Sequence, residues 1–448
     1  MAPTIAAPRG HLLRVLGVAF GVAVTLGNMI GAGILRSPSV IAASVGSAAL
    51  ILALWLAGAL QAALAANILV ELGTALPQAG GPYVFSRRAL GDVAGLIVGW
   101  SLWGAKIAGI AATTVSFANF FALLVPAAAS REAGIAVALQ VLLYGANILG
   151  LREGRALQEG TSFAKLALLL IFVLASFLAI PAHAAGFSPS PALAVTWVGL
   201  IGAYKLIRGA YSGWDASVYF SEESRSPATS LPRALFIGLA LTSLLYLGVN
   251  AALLHALGPH EIAQSSLPFM RVLRGVAGPS ASFFFAVGAM VTVLSVANAN
   301  IMTAPRILFA LARDRLLPQR LSDVNAGGSP HFALLMTGVG STALAATGQF
   351  VLVFGLIGTL DTLAALLTVL AFFVLRRREP SLARPFRALG YPLLPLLALG
   401  VEAVLLVLFN AADGRGFLAA VVLCAACVPF AWIARRTALD NGGPDGTR

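Results

Sequence analysis

The sequence predicts an all-α polytopic membrane protein in which twelve helices cross a bilayer and two of them are interrupted. Three observations carry that expectation. Of 448 residues, 59% are hydrophobic and 10% charged, with a mean hydropathy of +0.91, a balance foreign to water-soluble domains. Charged or Pro/Gly-rich breaks divide the chain into twelve apolar stretches, near 13–35, 44–75, 92–125, 132–150, 161–181, 195–221, 233–257, 280–311, 332–347, 350–375, 391–410 and 417–434. The first and the sixth stretch carry glycines and polar groups where a continuous helix would carry apolar side chains.

The first stretch contains Gly27-Asn28-Met29-Ile30-Gly31-Ala32-Gly33-Ile34-Leu35-Arg36-Ser37-Pro38. Glycine lowers helix propensity and proline cannot donate a backbone hydrogen bond, so this segment makes a poor continuous helix. Within hydrocarbon, freed backbone groups need partners, and irregular backbone persists only where protein or a polar cavity surrounds it. The segment is therefore a candidate binding site, with close packing of another helix against its small residues as the competing explanation. Ser37-Pro38 reads as the start of a turn outward. With no small-residue cleavage site before a soluble chain, the stretch reads as a retained helix and not a signal peptide.

The second stretch runs into a turn rich in Pro and Gly, Leu76-Pro77-Gln78-Ala79-Gly80-Gly81-Pro82-Tyr83, followed by Arg87 and Arg88. In the third, Trp100 and Trp103 read as an interfacial belt and Lys106 as a cation snorkelling to the surface. Lys165 stands early in the fifth. The sixth is the second anomaly: Lys205, Arg208, Gly209, Ala210, Tyr211, Ser212, Gly213, Trp214 and Asp215 interrupt a single crossing. Two broken stretches five apart are the best sequence pointer to a transporter of inverted repeats with a midplane site. They shift the first stretch from packing towards function, and imply repeats over about 13–181 and 195–375, with further helices at about 391–434. The whole forms one transmembrane domain over residues 1–439, followed by a short polar cytoplasmic tail, 440–448, read as disordered.

The eighth stretch ends with Asn298 and Asn300, which line a cavity or bridge helices, and with Arg306, read as snorkelling. All three lysines of the chain, Lys106, Lys165 and Lys205, fall at or inside apolar stretches, as do Arg208 and Arg306. Intramembrane charge is costly and faces a cavity or a partner unless it snorkels. Cys424 and Cys427, the only cysteines, share one face of the last stretch and suit packing better than redox or metal chemistry.

A net charge of +12 invites a nucleic-acid partner, but its distribution argues for orientation instead. Arg87, Arg88, Arg152, Arg155, Arg376, Arg377 and Arg378 fall in segments on one side, together with Arg9, Arg14, Arg435 and Arg436. The other side holds Arg36, Arg131, Arg271, Arg274 and Arg415. The positive-inside rule then puts both termini in the cytoplasm. The 17 acidic residues lie mostly in loops and form no cluster for metal-bound phosphate chemistry, which disfavours a membrane-embedded transferase. No loop is long enough for a folded soluble domain, which disfavours a sensor. No cofactor, metal or obligatory protein partner is implied.

These same stretches resemble amino-acid permeases of the amino acid–polyamine–organocation (APC) superfamily, in particular their sodium-independent L-type and bacterial branches. The matching pieces are Gly27–Ile34 with Ser37-Pro38, the Leu76–Tyr83 turn, Ala210–Asp215 with Glu222-Glu223, Leu231-Pro232-Arg233-Ala234, and Ala310–Pro318. The resemblance implies a LeuT/APC-like fold, a 5+5 inverted repeat with helices one and six unwound around the substrate. It implies that the backbone N–H groups of Ala32 and Gly33 hold a substrate carboxylate, with Gly31 shaping the turn. Backbone carbonyls of Met29, Ala210 and Ser212 would hold the α-ammonium. Ile30, Gly209, Tyr211, Gly213 and Trp214 complete the expected site.

It also matches Lys165 to a lysine that proton-coupled and exchanging members carry on helix five, bridging to the unwound part of helix one. As a buried ammonium, Lys165 is a candidate proton carrier. Two positions depart from the family pattern. Ala32 replaces a frequent serine, and Gly209 stands where an aromatic gate is usual, leaving Tyr211 or Trp214 as substitutes. The expected activity is sodium-independent amino-acid transport across a plasma membrane (a bacterial inner membrane), by proton symport or exchange. The expected partners are an amino acid, protons and the lipid bilayer; polyamine or other organocation transport is the alternative on the same fold.

Overall fold

Helix occupies the described part of every one of the twelve apolar stretches in the computed structural model, which describes residues 16–149, 151–180, 196–265, 267–325, 327–347, 350–412, 414–427 and 429. In chain order the helices are α1 (Val18–Met29), α2 (Ala32–Val45), α3 (Ala48–Ala75), α4 (Pro82–Leu90), α5 (Asp92–Leu124), α6 (Glu132–Leu149), α7 (Leu151–Ala179) and α8 (Trp197–Tyr211). Then follow α9 (Pro227–Gln264), α10 (Pro268–Ala277), α11 (Ala281–Arg313), α12 (His331–Ala346), α13 (Phe350–Arg378), α14 (Leu393–Ala412) and α15 (Gly414–Ala425). Among the described residues, seven segments are long and apolar enough to cross a membrane. The pair α1 and α2, bent by 41° at its break, makes an eighth when taken as one span. Arg9, Arg14, Arg435, Arg436 and the tail 440–448 lie outside the described residues.

The first interruption is real, but its far side differs from expectation. Helix resumes at Ala32 and continues through Pro38 to Val45, so Ser37-Pro38 starts no turn. The proline lies beyond the first helical turn and removes a single backbone bond, which packing on both sides outweighs.

Helix α1 is apolar all round, and Phe20 through Met29 are buried without exception, as befits a helix enclosed by others. It packs on α9, α7 and the segment after α8. The most extensive pairing is α5 with α11. Trp100 and Trp103 lie inside this packing, 2% and 5% exposed, and the Trp103 indole donates to Thr337 Oγ1 at 3.2 Å. They form no interfacial belt, because neighbouring helices cover that face of α5.

Polar residues inside the bundle bridge helices. Asn298 on α11 accepts from Asn147 of α6 at 2.8 Å and donates to Gln158 of α7 at 3.0 Å. Arg306 does not snorkel: it is 4% exposed, ion-paired with fully buried Glu223 and stacked over Phe220 at 4.2 Å. Nearby, Glu222 accepts from the Ala79 N–H at 2.8 Å and pairs with Arg313, also at 2.8 Å. Asp314 takes the Tyr83 hydroxyl at 2.7 Å and the Arg87 guanidinium at 2.8 Å. These contacts join the Pro/Gly-rich turn, the Glu222-Glu223 pair and the end of α11 into one closed layer. At its margin, the Arg88 guanidinium beside Glu379 holds that carboxyl below the usual carboxylate range.

Candidate substrate-binding site

Between Met29 and Ala32 the backbone leaves the helical region, with Ile30 at ψ 96° and Gly31 at φ −134°, ψ −159°. Such a break frees carbonyls at the end of α1 and N–H groups at the start of α2. No side chain caps the α2 N-terminus, so the N–H groups of Ala32 and Gly33 and the positive helix end are available to an anion. The α1 carbonyls are partly occupied. The fully buried Lys165 donates from Nζ to Gly27 O at 2.7 Å and to Ile30 O at 2.6 Å.

The second break follows Tyr211. Gly213 takes φ 93°, a left-handed conformation open to glycine at little cost, and a Cβ there would stand 2.8 Å from Asn28 Cγ. The chain then continues as a ten-residue 3₁₀ segment, Trp214–Glu223, long for this tighter helix and typical of strained or functional positions. The two breaks touch again where Gly33 meets Ala210: a Cβ on Gly33 would lie 3.0 Å from Ala210 Cα.

Tyr246 of α9 holds the two breaks together. Its hydroxyl lies 2.8 Å from Met29 O and 2.9 Å from Ala210 O, and its ring packs against Trp55 and Tyr211 at 5.2 Å. A single hydroxyl proton thus serves the carbonyl ends of α1 and α8, leaving acceptor capacity on both. Tyr246→Phe keeps the ring but strands those carbonyls; a loss of about 1–3 kcal/mol is expected, read as a lower melting temperature in detergent. An unchanged melting temperature would show that other groups satisfy them.

A cavity of about 310 Å³ lies between the breaks and α5, at the lower end of the range for small-molecule sites. Met29, Gly31, Ala32, Gly33, Gly209, Ala210, Ser212 and Gly213 line it. Ile30 does not; its side chain is buried elsewhere and it contributes only the carbonyl that Lys165 holds. Tyr211 and Trp214 line an adjoining cavity of about 100 Å³ with Gln61, Asp215 and Glu402. The Tyr211 hydroxyl is tied to Trp55 O at 3.2 Å. Neither ring lines the larger cavity beside Gly209.

Four further residues shape the site. Asn28 lines the larger cavity, and its Nδ2 has no hydrogen-bond partner there. Lys106 lines both cavities and is 8% exposed, so it does not snorkel. Asp361 of α13 also lines both and accepts the Ser212 hydroxyl at 2.7 Å. Asn300 lines the larger cavity from α11. Of the two cations before the second break, Arg208 pairs with Glu402 at 2.7 Å, and Lys205 lies over the Phe409 ring at 5.9 Å. The isolated Asp361 and Tyr246 sit in ordinary apolar stretches with no local motif, so only the fold brings them to the breaks.

A family model described as amino acid permease matches residues 16–431. The chain belongs to the amino acid permease family. Its membership agrees with the APC superfamily motifs and with the helical, membrane-spanning architecture. The permease is similar to Asc-type amino acid transporter 1 of Mus musculus, 28% identical over 418 residues, covering 90% of this chain and 77% of the relative. It is similar to large neutral amino acids transporter small subunit 2 of Homo sapiens, 27% identical over 410 residues, covering 86% of this chain and 74% of the relative. It also resembles the serine/threonine exchanger SteT of Bacillus subtilis, 26% identical over 416 residues, covering 87% of this chain and 89% of the relative.

Proposed function

We propose that this permease is a sodium-independent secondary transporter of amino acids, working by alternating access as a proton symporter or an exchanger. The observation that carries this reading is the pairing of opposite helix ends on one cavity. Uncapped N–H groups of Ala32 and Gly33 stand on one side, and the carbonyl ends at Met29 and Ala210 converge on the other. An α-amino acid carries a carboxylate and an ammonium on one carbon, and half-helix ends of opposite sign complement both. The three relatives above are named as amino acid transporters or as a serine/threonine exchanger, which supports the same class of cargo.

On this reading the bundle is twelve crossings in a 5+5 inverted repeat with two added helices, one domain with both termini in the cytoplasm of a plasma membrane. Lys165 is the coupling residue, with its ammonium on the end of α1. The layer formed by Glu222, Glu223, Arg306, Arg313 and Asp314 would close the inner face. Polyamine cargo fits less well, because a polycation entering the cavity meets the buried Lys106 ammonium and finds a single carboxylate, Asp361, in the lining.

A thermal-shift screen of the purified protein against all amino acids and a set of polyamines tests the substrate class. A ligand at about 100 times its Kd stabilises the native state by about 2.7 kcal/mol. Amino acids are expected to raise the melting temperature and their methyl esters, which lack the carboxylate, are not. Stabilisation by polyamines alone would overturn the reading.

A further inference from the structure

We infer that Lys106 and Asp361 form a donor–acceptor pair that selects amino acids whose side chain carries a hydroxyl or a carboxamide. The inference rests on the transport reading above and names the side chain that the head-group contacts leave open. Lys106, on α5, is buried, yet among the described residues its ammonium makes no hydrogen bond or ion pair. Its ammonium lies 5.3 Å from the Tyr219 ring and close enough to Asp361 for the two charges to act on each other across the cavity. A buried cation without an acceptor is costly, and the side chain borders both cavities, so an acceptor delivered into either would complete it.

Asp361 faces the same space from α13. One of its oxygens takes the Ser212 hydroxyl at 2.7 Å, and among the described residues the other accepts no hydrogen bond. Ser212 belongs to the second break, so Asp361 stands directly behind the backbone expected to hold the substrate head group. A side chain that enters here meets an ammonium that donates and a carboxylate that accepts. A hydroxyl or a primary amide satisfies both at once. A carboxylate side chain would answer Lys106 but oppose Asp361, and an ammonium would answer Asp361 but oppose Lys106. An alkyl side chain would answer neither and would leave both charges dry when the site closes.

Uptake by the purified protein in proteoliposomes tests this, using labelled alanine with unlabelled serine, asparagine, leucine and aspartate as competitors, and labelled serine beside labelled alanine for kcat/KM. Serine and asparagine are expected to compete at least about tenfold better than leucine and aspartate, as a hydrogen bond to a charged group implies. Lys106→Met is expected to lower the ratio of serine to alanine kcat/KM about tenfold, again by one charged hydrogen bond. Asp361→Asn supplies the same comparison should the lysine variant not fold. Leucine or aspartate competing better than serine would overturn the inference, as would variants in which serine and alanine suffer equally. Absence of uptake for every amino acid in the unaltered protein would instead strike the transport reading itself.

Discussion

Lys165→Ala is expected to reduce amino-acid uptake to background while the protein is still recovered folded. Lys165 is wholly buried on α7, and both of its resolved hydrogen bonds, at 2.6 and 2.7 Å, go to carbonyls freed by the break after α1. Without them Gly27 O and Ile30 O are stranded in a dry interior. Each such group costs about 1–3 kcal/mol. Two together cost at least about 2 kcal/mol, or roughly thirtyfold in the population of the ordered break. Removing the buried ammonium also relieves its desolvation, which offsets part of the global loss and keeps the fold. The effect therefore concentrates at the break. Initial uptake rates across a pH series check it. A variant that transports but has lost its pH dependence assigns Lys165 to proton coupling. Unchanged uptake with an unchanged pH profile would refute both the coupling role and the tie.

Gly33→Val is expected to abolish substrate binding by separating the two breaks. A Cβ on Gly33 would lie 3.0 Å from Ala210 Cα and 3.1 Å from Ala210 Cβ. The first is a backbone atom that no rotamer change can move, and valine adds two methyl groups beyond it. The start of α2 must then retreat from the end of α8, carrying the Ala32 and Gly33 N–H groups away from the converging carbonyls. Overpacking of this kind costs about 1–3 kcal/mol, so the empty protein should melt somewhat lower. The thermal shift by saturating amino acids should disappear, with Kd raised at least tenfold as about 1.4 kcal/mol of misplaced contacts implies. Wild-type affinity in this variant would rule out the close approach as a requirement for binding.

Much of this was written into the sequence, for a physical reason. Irregular backbone inside hydrocarbon is so costly that Gly27–Gly33 and Gly209–Gly213 stand out from apolar surroundings, and both proved to be breaks facing one cavity. Lys165 was legible because an intramembrane lysine needs a partner; its partners are the carbonyls of the break. Other features were hidden because they depend on neighbours distant in sequence. Trp100 and Trp103 look like a belt until neighbouring helices bury them, α12 through Thr337 at Trp103, and Arg306 looks like a snorkelling cation until Glu223 arrives from 83 residues away. Tyr246 carries no local signal, being one of two aromatic rings in an apolar run. Pro38 misled for a different reason. A proline weighs heavily in a propensity argument, yet its cost in a packed helix is one missing bond.

The central claim, that opposite helix ends at Ala32–Gly33 and at Met29 and Ala210 cradle an amino-acid head group for transport, is tested most directly by uptake into proteoliposomes holding only this protein. Labelled amino acids should accumulate saturably without sodium, driven by a proton gradient or by unlabelled amino acid inside, and amino-acid esters should not compete. No uptake of any amino acid under either driving force, from protein that is folded and correctly reconstituted, would contradict it.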